Sequence, residues 1–149
     1  LHENKLPVNQ LDGDFQAYEI VLPHEHEWEV AARWPKEYTY PWGVEFDVHK
    51  ANTSEGDIGQ TTAVGIYPSG KNSALELYDL SGGVSEWCQN KYNYPKDDSV
   101  DESGDRRVLR GGSWFGLAKF ARAAVRLYDG PDFRSGTIGF RVVVRRPPS

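Results

Sequence analysis

The sequence predicts an α+β fold with small antiparallel sheets, few helices and much irregular loop. Two short stretches rich in β-branched and aromatic residues, 108–114 and 138–144, are typical of strands. One stretch, about 24–33, has the residue spacing of a helix. Glycine, proline and polar residues dominate much of the remaining chain and favour turns. With 149 residues and 38% hydrophobic content, the chain is long enough for one domain with its own core.

The predicted helix has an apolar stripe along one side. Trp28, Ala31 and Ala32 fall at positions i, i+3 and i+4, which lie on the same helix face. Pro23 precedes the stretch and Arg33 ends it, and both residue types suit those positions. Residues 1–18, which precede it, have no strong pattern, and we predict an extended segment or a partial helix there.

The run His-Glu-His-Glu at residues 24–27 has the residue types of a metal site but not the spacing. His24 and His26 are two residues apart, so on a helix they point in different directions. Helical metal motifs place their histidines four residues apart, on one face. We therefore predict no metal at this run.

Three tryptophans and the single cysteine are predicted to lie in the core. Trp42 lies in an aromatic turn, Trp87 and Cys88 follow a glycine-rich turn, and Trp114 follows the strand that begins at residue 108. At the far end of the chain, Phe140, Val142 and Val144 occupy alternate positions. That alternation predicts a half-buried strand that closes the sheet over Gly139 to Val144.

Two loops carry oxygen-bearing side chains that suit calcium. Residues 52–59 include Asn52, Ser54, Glu55 and Asp57, which can hold a hard cation or form a plain polar turn.

The second loop has Asp79 and Glu86 on either side of a glycine-rich turn at residues 81–83. A flexible turn of this kind lets the backbone carbonyls of Gly82 and Val84 point inward with the two carboxylates.

Several motifs along the chain together resemble the formylglycine-generating enzyme (sulfatase-modifying factor) family. The motifs are LPHEHEWEVAAR, YPWG, TTAVGIYP, ELYDLSGGVSEWC, RGGSW and GFRVV, in that order, and the resemblance covers residues 22–144. It implies a C-type-lectin-like fold.

The resemblance also implies two calcium sites, one at Asn52 and Glu55 and one at Asp79 and Glu86. The second loop departs from the family pattern, because Gly83 and Ser85 stand where the family has Asn and Trp.

Catalysis of the family's type requires residues that this chain does not have. Formylglycine formation needs a pair of cysteines, in the segment that corresponds to residues 114–126, to bind copper and engage the substrate thiol. That segment contains no cysteine, and Cys88 lies in a different motif. The related iron-dependent sulfoxide synthases use a histidine cluster, and the histidines here have no metal-ligand spacing. We predict that the chain is not an enzyme and binds neither copper nor iron.

The region 108–144 looks most like the variable region of a protein diversified by a diversity-generating retroelement. Such a system randomises Asn-type codons at adenines, which gives Phe, Gly, Leu, Val, Tyr, Asp, Ser and Thr among others. Aromatic, small and polar residues of these types are the composition of a recognition surface. We predict that the ligand-binding residues, called the display surface below, are Phe115, Gly116, Leu117, Phe120, Val125, Leu127, Tyr128, Asp129, Gly130, Phe133, Ser135, Gly136 and Thr137.

The predicted function is therefore that of a non-catalytic, receptor-type domain that binds a protein ligand. The alternatives are an oxidase like formylglycine-generating enzyme and a purely structural or regulatory lectin-fold domain. A net charge of −5 argues against nucleic acid and anionic membranes as partners, and no apolar run reaches membrane-spanning length.

Two features of composition concern the chain as a whole. The single Cys88 excludes an internal disulfide and fits a reducing compartment, so the localisation is left open, with the cytoplasm favoured. The chain contains no methionine, and we expect residues 1–149 to be a single domain from the C-terminal part of a longer protein. The oligomeric state is left open.

Overall fold

The computed structural model describes residues 18–97 and 103–146, so most of the predicted segment at residues 1–18 lies outside it. Within these ranges, one helix and two small sheets hold most of the regular structure, and turns and loops make up most of the remaining described residues. This confirms the predicted α+β fold. The elements are β1 (Glu19–Val21), α1 (Glu25–Arg33), β2 (Ser85–Lys91), β3 (Arg107–Arg110), β4 (Leu127–Asp129), β5 (Ile138–Gly139) and β6 (Val143–Arg145). Single 3-10 turns lie at Ser54–Gly56, Pro68–Gly70 and Ala118–Phe120.

The larger sheet has the strand order β4-β3-β2-β5, and the smaller sheet pairs β1 with β6. All pairs are antiparallel except β2 with β5, which is parallel and differs from the antiparallel prediction. Strands β4 and β5 form opposite edges of the sheet. The chain between them, residues 130–137, must cross the whole sheet, and we call this segment the crossover.

Helix α1 begins at a capping box. The Nδ1 atom of His24 accepts a hydrogen bond from the N–H of His26, and the Glu27 carboxylate accepts one from the N–H of His24. The helix matches the predicted stretch to within one residue. Trp28 and Ala32 are buried, as the stripe predicts, because they face the larger sheet.

The core lies between α1 and the larger sheet. It consists of Trp28, Ala32, Leu80, Cys88, Val108 and Ala123. Cys88 is 1% exposed, which confirms its predicted place in the core.

The predicted core position of the three tryptophans is wrong, because Trp42, Trp87 and Trp114 are all partly exposed. Side chains of a strand alternate between the two faces of the sheet, so Trp87 points away from α1 while Cys88 points toward it. Trp114 follows a turn at Gly111 and Gly112, and its indole N–H reaches the carbonyl of Gly136 in the crossover.

Trp42, in the aromatic turn at residues 38–43, is held at the surface by two contacts. Its ring stacks on Tyr40 at 5.1 Å between centroids, and its indole N–H donates to the carbonyl of Glu45. Tyr40 itself is the buried residue of this turn.

The predicted strand at residues 139–144 is also wrong, because this stretch serves two sheets. Strand β5 stops at Gly139, and β6 begins at Val143 in the smaller sheet. Between them the Arg141 side chain turns inward to the Glu86 carboxylate, with nitrogen–oxygen distances of 2.5 and 2.8 Å. Phe140 and Val142, on either side of Arg141, are 67% and 48% exposed.

Ion pairs join α1 to the larger sheet. Arg110 is fully buried and donates to the Glu29 carboxylate at 2.5 Å. Glu25 is also buried, and it accepts two hydrogen bonds from Arg126 and one from Asn90. In each pair the arginine donates hydrogen bonds to a carboxylate of opposite charge. These bonds offset the cost of burying the two charges.

Candidate ligand-binding surface

None of the display-surface residues is buried. The exposed fraction is 75% for Phe115, 48% for Leu117, 39% for Phe120, 44% for Tyr128 and 47% for Phe133. Large apolar side chains at this exposure indicate a contact surface where they are contiguous.

The backbone of this region is held by groups outside the display surface. The N–H of Ser54 donates to the carbonyl of Gly116, and the Glu55 carboxylate accepts from the N–H of Ala118. The hydroxyl of Ser81 donates to the carbonyl of Ala121, and buried Arg110 donates to the carbonyls of Ala124 and Val125. These bonds reach only the backbone of the region, so they do not depend on which side chains it carries.

The glycines of the display surface differ from those of the supporting turns. A Cβ atom added to Gly130 or Gly136 would meet nothing within 4 Å, and neither residue has a positive φ. A Cβ atom on Gly112 would lie 2.9 Å from the carbonyl oxygen of Phe120, and φ is +69°. Gly130 and Gly136 therefore have room for a side chain, while Gly112 in the supporting turn does not.

The structure does not gather the whole display surface on one face. Strand β4 carries Leu127 and Asp129 on the sheet face that Trp87 occupies, and Tyr128 on the face of α1. Tyr128 contacts Tyr92 at 4.5 Å between ring centroids. Three strand spacings, about 14 Å, separate β4 from β5, which follows Ser135, Gly136 and Thr137. The predicted surface is thus divided, with Tyr128 apart from the crossover.

Three of the four predicted calcium residues line one pocket of about 490 Å³. They are Asn52, Asp79 and Glu86. The Oδ1 atom of Asn52 is buried and has no hydrogen-bond partner among the described residues, which fits a cation ligand. Glu86 does not fit, because its carboxylate accepts bonds from Arg141 and from the indole N–H of Trp28. The Arg141 charge beside it would repel a cation.

Glu55, the fourth predicted ligand, is exposed and engaged elsewhere. Its carboxylate accepts a hydrogen bond from the Thr53 hydroxyl at 2.7 Å and one from the N–H of Ala118. Partial desolvation raises its pKa, but these hydrogen bonds outweigh that effect, and the pKa of Glu55 lies below its ordinary value. In the described part of the chain, no three His, Cys, Asp or Glu side chains form a group that could hold a metal.

A model of the sulfatase-modifying factor enzyme 1-like domain matches residues 10–146. The chain belongs to this family. No helix among the described residues is long and apolar enough to cross a membrane.

Relatives in the family include enzymes and proteins named as inactive. The chain is 43% identical over 130 residues to serine/threonine-protein kinase Pkn1 of Chlamydia trachomatis, covering 80% of the chain and 20% of the kinase. It is 36% identical over 143 residues to inactive C-alpha-formylglycine-generating enzyme 2 of Bos taurus, covering 85% and 45%. It is 33% identical over 139 residues to hercynine oxygenase of Mycolicibacterium thermoresistibile, covering 81% and 31%. The chain therefore spans less than half the length of these relatives.

Among solved structures, Treponema denticola variable protein 1 is similar, with a TM-score of 0.68 and 30% sequence identity. The match covers 86% of this chain and 48% of that protein. This similarity confirms the resemblance of the chain to a variable protein that the sequence indicated.

The thiol of this family member is poorly suited to chemistry. Cys88 lies in the core, and desolvation raises its pKa to about 12, in spite of the nearby charge of Arg110. A thiol with this pKa is protonated at neutral pH, and the thiolate is the form that attacks substrates and binds metals.

One pocket was missed at the sequence level. It is lined by residues as far apart in the chain as Val21, Trp87, Arg134 and Phe140. No spacing rule connects them, since the crossover brings Arg134 over the sheet. Phe140, which lies between β5 and β6 and is 67% exposed, is the aromatic residue at the pocket's edge.

Proposed function

We propose that this domain is a non-catalytic ligand-binding module that presents the display surface to a protein ligand. The observation that carries the proposal is that, in region 108–144, residues outside the display surface hold the backbone in place. The backbone that carries the display surface is held by Ser54, Glu55, Ser81 and Arg110, while none of the display-surface residues is buried. Such a surface can change its chemistry without changing its shape.

The likeness to Treponema denticola variable protein 1 supports the same role and suggests diversification by a retroelement. The division of the surface adds a detail. The proposed contact face consists of Phe115, Leu117 and the crossover residue Phe133, with Tyr128 as a separate contact at the sheet edge.

Sequencing the surrounding locus in independent isolates tests the diversification. We expect a near-identical template repeat and a reverse-transcriptase gene, with differences concentrated at display-surface codons. An identical display surface in all isolates, with no template repeat, would contradict diversification.

A library tests ligand binding directly. The display-surface codons are randomised, the domain is presented on yeast, and cells are sorted first for folded protein and then for binding to a chosen soluble protein. We expect most clones to fold and some to bind. A matched library that randomises core positions Leu80, Val108 and Ala123 should lose folded clones. Equal loss of folding in both libraries would contradict the proposal.

The second candidate is an oxidase, which the similarity to hercynine oxygenase favours. The test is oxygen consumption by the purified domain with Cu(I) or Fe(II) and a cysteine-containing peptide. We expect no turnover above free metal, and the same result for Cys88→Ala. Turnover that is lost in Cys88→Ala would overturn the non-catalytic proposal.

A further inference from the structure

A groove of about 650 Å³ lies on the face of the larger sheet opposite α1. Trp87 and Gln89 of β2 line it from the sheet, and Pro131 and Arg134 line it from the crossover. Its volume is that of a typical small-molecule site. The groove shares no residue with the display surface, so it is a separate site.

Most of the groove is apolar. Val21 and Leu22 line one side, and Ile138 and Phe140 contribute further apolar surface. Phe140 is 67% exposed, so a ligand in the groove would cover an aromatic ring that now faces solvent. Burial of this ring and of the exposed part of Trp87 would favour an apolar ligand body.

The charge of the groove is opposite to that of the chain. Arg107 and Arg134 line it, and none of its described lining residues is acidic, although the whole chain has a net charge of −5. The Arg134 guanidinium donates to the carbonyls of Pro131 and Phe133, and in the described ranges it has no ion pair with a carboxylate. Arginine pairs well with a ligand carboxylate.

Gln89 adds a polar group to this wall. Its Oε1 atom is buried and has no hydrogen-bond partner within residues 18–97 and 103–146. A buried acceptor without a donor is unfavourable. Rotation of the Gln89 amide would turn Oε1 toward the groove, where a ligand N–H group would satisfy it.

We propose that the groove binds a small apolar carboxylic acid with an amide N–H, such as an N-acylated apolar amino acid. The ligand carboxylate pairs with Arg134, the amide N–H donates to Gln89, and the apolar side chain lies against Trp87 and Phe140. This site does not depend on the protein-binding function proposed above.

Two-dimensional NMR of the isotope-labelled domain tests the site with N-acetyl-L-phenylalanine. The indole N–H signal of Trp87, assigned with Trp87→Phe, and the backbone signals of Gln89 and Ile138 should shift in a saturable way. N-acetyl-L-phenylalanine amide, which lacks the carboxylate, should bind about tenfold more weakly. 3-Phenylpropionate, which lacks the amide, should also bind more weakly.

Variants separate the two polar contacts. Arg134→Gln should weaken N-acetyl-L-phenylalanine about tenfold and leave its neutral amide unaffected. Arg122→Gln, which removes an exposed arginine outside the groove, is the matched control and should change neither affinity. Gln89→Leu should abolish the preference for N-acetyl-L-phenylalanine over 3-phenylpropionate. Thermal unfolding of each variant checks that the fold is retained.

Equal affinity for the acid and its amide, or shifts at Trp28 and Trp42 rather than Trp87, would overturn the proposal. A tetrapeptide that ends in phenylalanine distinguishes the source of the ligand. If the natural ligand is a free small molecule, we expect the tetrapeptide to bind about tenfold more weakly than N-acetyl-L-phenylalanine. Tighter binding of the peptide would overturn the small-molecule assignment and indicate the C-terminus of a protein.

Discussion

Single residues of this domain differ widely in how much of the structure depends on them. Glu86 is buried and accepts hydrogen bonds from Trp28 of α1 and from Arg141 of the chain end. It therefore joins three parts of the chain through one carboxylate. We expect Glu86→Ala to lower the free energy of unfolding by about 3–5 kcal/mol, since Arg141 would lose its buried partner. Urea unfolding measures it.

The matched control is Glu76→Ala, which breaks the exposed pair with Lys71. Exposed pairs contribute about 0–1 kcal/mol. A Glu86→Ala variant as stable as Glu76→Ala would show that the buried carboxylate does not hold the fold together.

Two tryptophans give a second comparison at the residue scale. Trp28 is 1% exposed, and Trp114 is partly exposed with its indole on the crossover. We expect Trp28→Ala to cost about 3–5 kcal/mol of unfolding free energy, as a buried aromatic does. Trp114→Ala should cost less, about 1–3 kcal/mol. Chemical denaturation ranks the two, and a reversed order would contradict the burial assigned to them.

Calcium binding at Asn52 remains a prediction at this scale. The unpartnered Oδ1 atom of Asn52 is the feature that fits a cation. If calcium binds the native state only, adding it raises the melting temperature and chelation reverses the effect. We expect Asn52→Ala to remove the shift, while Asp132→Ala, an exposed acidic control outside both predicted calcium loops, keeps it. A melting temperature insensitive to calcium in the parent protein would reject both predicted sites.

At the scale of elements, α1 depends on its ion pairs with the sheet. Burial alone would raise the pKa of Glu29, but hydrogen bonds and charges from Arg33 and Arg110 lower it below its ordinary value. A carboxyl with a lowered folded-state pKa stabilises the fold above its unfolded-state pKa. That stability is lost as the pH falls through the folded-state pKa.

We therefore expect the domain to lose stability as the pH falls below about 4.5, and Glu29→Gln to lose less over that range. Urea midpoints between pH 7 and pH 3 measure both. Glu45→Gln, at an exposed position, should keep the parent's acid sensitivity. The same pH dependence in Glu29→Gln and the parent would exclude Glu29 as its source.

The elements also show why some of the structure was predictable from sequence. Helix α1 was predicted because its stripe and caps are local, and local spacing determines which side is buried. The end of the chain was not, because Arg141 is drawn to Glu86, 55 positions away. The core position predicted for Trp114 was wrong for a related reason, since its hydrogen-bond partner Gly136 lies in the crossover, 22 positions away. Alternation and hydrophobicity carry no information about such distant partners.

At the scale of the whole molecule, the core, the ion pairs and the supporting turns form a frame that holds the backbone of the display surface. The side chains of the display surface are not buried in that frame. The aromatic content of the display surface predicted its exposure, but sequence could not show that β4 and β5 lie at opposite edges of the sheet. This topology places the crossover over the sheet face opposite α1. It also creates the groove next to Arg134, so one long connection shapes both proposed sites.

The glycines give the sharpest test of this division. Gly130→Ser and Gly136→Ser add side chains where nothing lies within 4 Å of a new Cβ atom. We expect each to change the free energy of unfolding by less than about 1 kcal/mol, and Phe115→Ser and Phe133→Ser to do the same, because all four positions are accessible.

Gly112→Ala is the matched control in the frame. Its Cβ atom would lie 2.9 Å from the Phe120 carbonyl oxygen, at a φ of +69°. The clash involves backbone, which cannot move aside as a flexible side chain can, so we expect a loss of at least 2 kcal/mol, roughly the cost of strain at a positive φ together with overpacking. Urea unfolding of the five variants decides the matter. Display variants that unfold as readily as Gly112→Ala would show that the region is part of the frame, and that its side chains are not free to vary.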